Sequence, residues 1–351
     1  RTLTLTTANA TMAQATQHVI TISNVHTPSS IVDATTMQAM VLDSTDKSID
    51  ATSDMVVDQI AAGSFTGARS FDTGTDTPGV KDTATLSFTP TGTIHVGGSI
   101  EIVMPTLTGL QSPWSFETPS ASWTTPSADA ATAESTTWDA GTRTLTIVVA
   151  TNDVVMGAAQ VIEIANARTP SSIVNASTVT VTSKDSRGKV IDGPTPMATD
   201  AITAGELRSA AFEIATDTPG FESVATVTFT TAGRVEPNGF VTIVTPDLSA
   251  VAQEGWRFTD AANGGKNNVI SAGTDNPPAI AYTTPANNVP VPVVITYTAV
   301  IRELRFTCGT TGMASGEEHV LTISNVLTPS SVVAAGMVTM TTQDSQGRDV
   351  D

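Results

Sequence analysis

The sequence predicts an all-β chain of tandem β-sandwich repeats, and its composition, its short alternating runs and an internal repeat lead there. Threonine is the commonest residue, and its β-branched side chain suits pleated, half-exposed strands. Apolar residues alternate with a period of two, as at Leu145, Ile147 and Val149, which marks strands of five to eight residues. No long segment carries the 3.6-residue period of a helix.

The repeat sets the frame. The run His18–Ser30 (HVITISNVHTPSS) recurs at Gln160–Ser172 (QVIEIANARTPSS) and His319–Ser331 (HVLTISNVLTPSS), 142 and 159 residues further on. Thr75–Gly79 (TDTPG) recurs at Thr216–Gly220, and both copies lead into strand-like runs, ATLSFTPTG (Ala84–Gly92) and ATVTFTTAG (Ala225–Gly233). Then follow SIEIVMPTL and FVTIVTPDL, and next Trp114-Ser115-Phe116 and Trp256-Arg257-Phe258. Residues 1–62 are therefore the C-terminal part of one unit, 63–204 a complete unit and 205–351 another. The last is longer, and the excess reads as a surface loop over 262–291, where Asn263-Gly264-Gly265 and Asp275-Asn276-Pro277-Pro278 fall.

Turn chemistry agrees with this frame. Pro78 and Gly79 take the central positions of a type II turn. Asp185-Ser186-Arg187-Gly188 and Asp344-Ser345-Gln346-Gly347 join pairs of strands, with Asp46 at the glycine position in the first copy. Units of this length bury a real core, with Trp114, Trp256, Phe116 and Phe258 as its anchors. The economical architecture is a two-sheet, immunoglobulin-like sandwich of about 140–160 residues per unit, without the paired cysteines or tyrosine corner of true immunoglobulins.

Composition narrows function. With 34 acidic against 16 basic residues the net charge is −18, and no basic patch offers itself to nucleic acid. No stretch of 18 apolar residues occurs, so this segment is expected to hold no membrane-spanning helix. Arg1 enters the repeat in mid-motif, which places the natural N-terminus elsewhere. Cys308 lies in a strand-like run with no histidine or second cysteine beside it, and reads as a buried structural thiol.

Four histidines and the absence of any HExxH, CxxC, GxSxG, Walker or GxGxxG pattern predict that the chain is not an enzyme. Two readings of the recurring acids stay open. Asp43/Asp50, Asp185/Asp192 and Asp344/Asp351 near unit ends, with Asp76/Asp217 near unit starts, either cap turns or hold calcium. No dense DxDxD run supplies the six to eight oxygens calcium takes, so Asp76, Asp185, Asp192, Asp217, Asp344 and Asp351 are weak calcium candidates, and no other cofactor is expected. The sequons at Asn9 and Asn175 would accept N-glycans in a secreted eukaryotic protein.

Across the whole chain, TDTPG…ATVTFTTAG…FVTIVTPDL and HVLTISNVLTPSS give it a texture that resembles giant threonine-rich, immunoglobulin-like repeat proteins of algal, protist and bacterial surfaces. The resemblance implies an extracellular or cell-surface location and a structural, non-catalytic role in a filament, flagellar hair or cell coat. Its partners would be copies of itself or neighbouring repeats in a polymer. An adhesin or carbohydrate-binding stalk, with glycans as ligands, is the alternative, and an accessory region of a secreted hydrolase is a third reading. Three structural expectations follow from the repeat. The units 63–204 and 205–351 share one strand order, Gly193-Pro194-Thr195-Pro196 forms a stiff connector in a rod, and residues 1–62 are completed by upstream strands or by another molecule.

Overall fold

The computed structural model of the chain describes residues 2–8, 11–127, 130–258, 279–284 and 295–351, and the backbone of 269–270. All regular structure among the described residues is β. Two compact units divide between Ala61 and Ala62.

The first unit holds one antiparallel hairpin, β1 (Thr35–Leu42) and β2 (Ser48–Val57). Its loop carries Asp46 at φ 62°, a left-handed conformation that aspartate tolerates better than most residues. Nearly all of this hairpin is exposed, and no strand forms over the described residues before the isolated bridge at Val32.

The second unit contains two sandwiches. The first is built from β3 (Thr66–Thr73), β4 (Lys81–Thr89), β5 (Ser99–Val103), β6 (Ser115–Thr125), β7 (Ala133–Asp139), β8 (Thr144–Val149), β9 (Gln160–Arg168), β10 (Ser177–Lys184) and β11 (Val190–Thr199). Their order is β6-β9-β4-β3-β11-β10-β5-β8-β7. Parallel pairing of Ser70 with Ala198, and of Gly63 ahead of β3 with Asp192, links the half β6-β9-β4-β3 to the half β11-β10-β5-β8-β7. The two halves share one core in which Leu86, Ile100, Ile102, Leu145, Ile147 and Ile162 are fully buried. These are the alternate residues of their strands, as a pleat with one face inward requires.

The second sandwich repeats the plan with β12 (Arg208–Ile214), β13 (Glu222–Thr230), β14 (Phe240–Val244), β15 (Arg257–Phe258), β16 (Val269–Ile270), β17 (Ile280–Thr284), β18 (Ile295–Thr298), β19 (Glu303–Thr307), β20 (Glu318–Leu327) and β21 (Thr339–Gln343). One sheet runs β12-β13-β20, with β15 and β17 both on the far edge of β20, and the other runs β21-β14-β19-β18-β16. Register matches as well as order. Leu86 opposes Ile162 as Val227 opposes Leu321, and Ile102 opposes Leu145 as Ile243 opposes Leu304. Trp114, Phe116 and Phe258 are buried, while Trp256 is half-buried against Phe212.

Two expectations need correction. Residues 262–291 are not a loop throughout, because β16 and β17 fall inside them; apart from Ala279, the remainder lies outside the described residues. Tyr282 pairs with Leu321 as Trp123 pairs with Ile162, and Phe258 pairs with Val326 as Phe116 pairs with Ala167. The extra residues thus interrupt one edge strand between Phe258 and Ile280. The corresponding place in β6 is a bulge, with a register break between Phe116 and Ser120 and Thr118 at φ 48°. An edge-strand bulge absorbs an insertion because no ladder bond on the outer side is lost.

Gly193-Pro194-Thr195-Pro196 is likewise not a connector. It lies within β11, where Thr195 and Pro196 pair with Val181 and Thr180 of β10 and Gly193-Pro194 fall at the register break between Val181 and Ser183. Such breaks admit proline because the ladder there needs fewer N–H donors.

Candidate functional site: the junction between sandwiches

The true connector is residues 200–205, and both sandwiches hold it. Ile202 and Val174 exchange backbone hydrogen bonds of 2.8 and 2.9 Å, Thr203 N donates to Asp76 O, and Gly205 N donates to Val350 O. Ile202 is also buried in the first core.

Around this connector the sandwiches meet directly. Arg234 N donates to Pro78 O at 3.0 Å, and Ile173 N donates to Asp349 O at 3.3 Å. Gln111 spans the joint with both ends of its amide, its Nε2 donating to Pro237 O at 2.6 Å and its Oε1 accepting from Ser345 N at 3.1 Å. The first sandwich contributes the β3–β4, β5–β6 and β9–β10 connections, all at one end. The second contributes its β13–β14 connection and the hairpin after β21, which lie at the opposite end of the common plan. The contact is therefore head to tail.

Gly79 shows how closely the surfaces approach. It sits at φ +67°, and a Cβ there would come within 2.9 Å of Arg234 Cβ and 3.0 Å of its carbonyl oxygen. Gly79→Val is expected to strain the turn and push the faces apart at a cost of about 1–2 kcal/mol. Exchange of the Arg234 amide should then quicken roughly tenfold or more. An unchanged Arg234 rate would show that the joint does not depend on this approach.

The predicted acids fall into three groups. Asp185 and Asp344 cap their own hairpins: Oδ1 of Asp185 accepts from Arg187 N and Lys189 N, and Oδ1 of Asp344 accepts from Gln346 N and Arg348 N. Asp43 does the same with Thr45 N and Lys47 N, and these bonds hold its carboxyl below the usual range.

Asp192 and Asp351 act differently. Asp192 is fully buried and accepts from the Thr91 hydroxyl, from Gly92 N at 3.2 Å and from the Ser183 hydroxyl at 3.4 Å. Asp351 accepts from Ala232 N at 3.1 Å, Gly233 N at 2.7 Å and the Thr342 hydroxyl at 2.8 Å. Burial pushes the Asp351 carboxyl up, and these hydrogen bonds oppose the shift. Each carboxylate ties the segment that follows its sandwich's last hairpin loop to the turn after β4 or β13.

Asp76 and Asp217 make the third group. Asp76 accepts from the Thr73 hydroxyl at 2.6 Å and lies with Asp72 and Asp200 in a cluster whose ligand oxygens are within 4.8 Å of one another. Burial and the two neighbouring carboxylates push Asp72 up. Asp72 and Asp200 escaped the sequence reading; the recurrence of Asp200 as Asp58, in DQIAAG and DAITAG, was the available signal. Asp217 is exposed, with Glu213 at the position of Asp72.

Asn175 is exposed in the β9–β10 connection, open to modification, whereas Asn9 lies outside the described residues. His95 Nδ1 meets Asp153 Oδ2 at 2.8 Å on the surface. His319 is fully buried between the rings of Phe229 and Tyr282, and neither ring nitrogen has a hydrogen-bond partner. Cys308 is buried, and burial pushes its thiol up to about 12. It is expected to resist thiol reagents until the second sandwich unfolds; stoichiometric labelling of the native chain would contradict its place in the core.

Fold and junction together define the class: an all-β chain of tandem immunoglobulin-like sandwiches joined head to tail. No known protein family matches the sequence, and no curated protein matches it. Solved structures that are similar to it include three from bacterial proteins. One is the type II cohesin dyad of the ScaA scaffoldin of Acetivibrio cellulolyticus, 11% identical over 81% of this chain and 95% of that one, with a TM-score of 0.23. Another is the C-terminal domain of the Streptococcus pyogenes antigen I/II-family protein AspA, 9% identical over 89% and 97%, with a TM-score of 0.24. The third is a partial N-terminal region of an enterococcal surface protein, 9% identical over 83% and 94%, with a TM-score of 0.25. TM-scores this low assign this chain neither a particular family nor a function.

Proposed function

We propose that this chain is a non-catalytic structural stretch of an extracellular filament, flagellar hair or cell-surface coat. The head-to-tail junction is the observation that supports it. A contact between opposite ends of like units leaves a free end on each, so a further unit can add to the array. The parts of the joint recur to allow this: Gln111 as Gln253, Pro78-Gly79 as Pro219-Gly220, and Ser345 as Ser186. A connector bonded on both sides transmits force without a slack hinge, which a filament needs. The adhesin reading calls for Phe, Tyr or Trp rings turned outward to stack on sugars, and Phe221 is the single exposed one of these among the described residues.

Immunogold labelling of intact, unpermeabilised source cells with antibody to residues 62–351 tests the role. Label along surface hairs or over a coat is the expected result, and label confined to the cell interior would overturn it.

A further inference from the structure

We infer that the joint between the two sandwiches is a binding site for a small oxyanion, a sulfate or phosphate group, and that the bound group clamps the joint. A cavity of about 310 Å³ opens between the sandwiches. Lys81 and Arg168 line it from the first, and Arg234, Thr311, Ser315 and Glu317 from the second. Sites for small molecules begin at about 300 Å³, so the space suits one charged group carried on a single sugar ring at most. Three of the chain's 16 basic side chains converge here, although its net charge is −18. They are far apart in sequence, so no run of basic residues announces the cluster.

Strand pairing concentrates the charge. Lys81 opens β4, Arg168 closes β9, and the two stand directly opposite each other across the ladder. Like charges so placed repel. Glu117 bridges them, 3.3 Å from Lys81 Nζ and 2.8 Å from Arg168 Nη2, so two cations share one carboxylate. Arg234 faces them from the second sandwich. Arg168 Nη1 donates to Gly79 O at 3.0 Å and Arg234 N donates to Pro78 O at 3.0 Å, which holds both arginines to one turn. Nη2 of Arg234 lies 3.2 Å from Glu236 Oε2, and its other guanidinium donors are left for a ligand. Glu317 is the carboxylate on the wall, and none of the three cations pairs with it.

The repeat frame requires none of these charges. Lys81, Arg168 and Arg234 stand where the other sandwich has Glu222, Leu327 and Thr93, and Glu317 stands where it has Ala158. Guanidinium forks and an ammonium group match the oxygens of a tetrahedral anion. Such an anion neutralises charge from both sandwiches at once and removes the repulsion between them. Because its ligands come from both, it binds only the docked arrangement and stabilises it by mass action.

The inference rests on the charges around the cavity and not on the filament role, so an intracellular location would leave it standing. The test is calorimetric titration of the full chain with inorganic sulfate, inorganic phosphate and glucose 6-sulfate, each against sodium chloride of equal ionic strength. Saturable one-to-one binding is expected, with none from sodium chloride. At ten times the dissociation constant the Arg234 amide should exchange about tenfold more slowly. Lys81→Glu and Arg234→Thr copy the other sandwich and so keep the fold; each should weaken binding about tenfold or more. Glu317→Ala should tighten it. Tighter binding of the sugar sulfate would assign a saccharide-borne group and equal binding a free anion, and either supports the site. No saturable binding of any of the three overturns the inference, as does binding that Lys81→Glu and Arg234→Thr leave unchanged. Binding without slower exchange at Arg234 overturns the clamp.

Discussion

Replacing Asp192 with alanine is expected to destabilise the first sandwich by about 3 kcal/mol, since three donors would lose a shared charged acceptor in a fully buried site. For a domain of this size that lowers the melting temperature by about 6–12 °C. The chain carries its own control. Asp50 holds the same repeat position, but it is exposed and no β4-type turn reaches it. Asp50→Ala should therefore change stability by less than about 0.5 kcal/mol. Thermal unfolding of the two variants decides the matter, and equal losses would mean that Asp192 does not act through the turn at Thr91 and Gly92. Chelation of calcium should leave the Asp192 effect intact, because its recorded partners are protein donors.

Acid should weaken the second sandwich through His319. Burial without a hydrogen-bond partner lowers its pKa to about 4 in the folded chain, whereas an unfolded histidine titrates near 6.5. The folded state thus resists taking up a proton that the unfolded state accepts. Stability from this source is complete above about pH 6.5 and is lost as pH falls from there towards 4. At pH 5 the loss is about 2 kcal/mol. Asp351, with its carboxyl pushed up, acts in the opposite sense, so His319→Gln isolates the effect of the histidine. Glutamine is the residue the first sandwich uses here: Gln160 is buried and its Nε2 donates to Ala158 O at 3.2 Å. Urea unfolding at pH 7.5 and pH 5 should show the acid loss in the natural chain and little of it in the variant. The same acid loss in both would place its origin elsewhere.

Much of the fold was legible because repeats constrain one another. Residues aligned between 63–204 and 205–351 keep the same alternation, so the core positions of β4, β5, β8 and β9 could be read from period alone. The insertion was visible too, but its place within an edge strand was not, since a strand broken by an insertion no longer displays a continuous pattern. Gly193-Pro194-Thr195-Pro196 misled for a related reason: proline marks a turn in most contexts, yet β11 continues through a register break at Gly193-Pro194 and pairs Pro196 with Thr180. The acids divided along the same line. Capping by Asp185 and Asp344 is local, within four residues, and so could be anticipated. The roles of Asp192 and Asp351 depend on turns about a hundred residues away.

The sequence by itself determined the repeat frame, the all-β class, the turns and the alternating core positions, because each of these is a local property of side-chain period and backbone preference. Tertiary structure alone decided whether those preferences were realised. His18–Ser30 and His319–Ser331 differ only at Ile20/Leu321 and His26/Leu327. The later copy forms β20, with His319 fully buried, while the earlier forms no strand and leaves His18 exposed, its Nε2 3.2 Å from Ala13 O. Residues alike in propensity part because a strand's backbone donors and apolar face are satisfied only by neighbouring strands. β20 has β13 on one side and β15 and β17 on the other, and the earlier copy has none among the described residues.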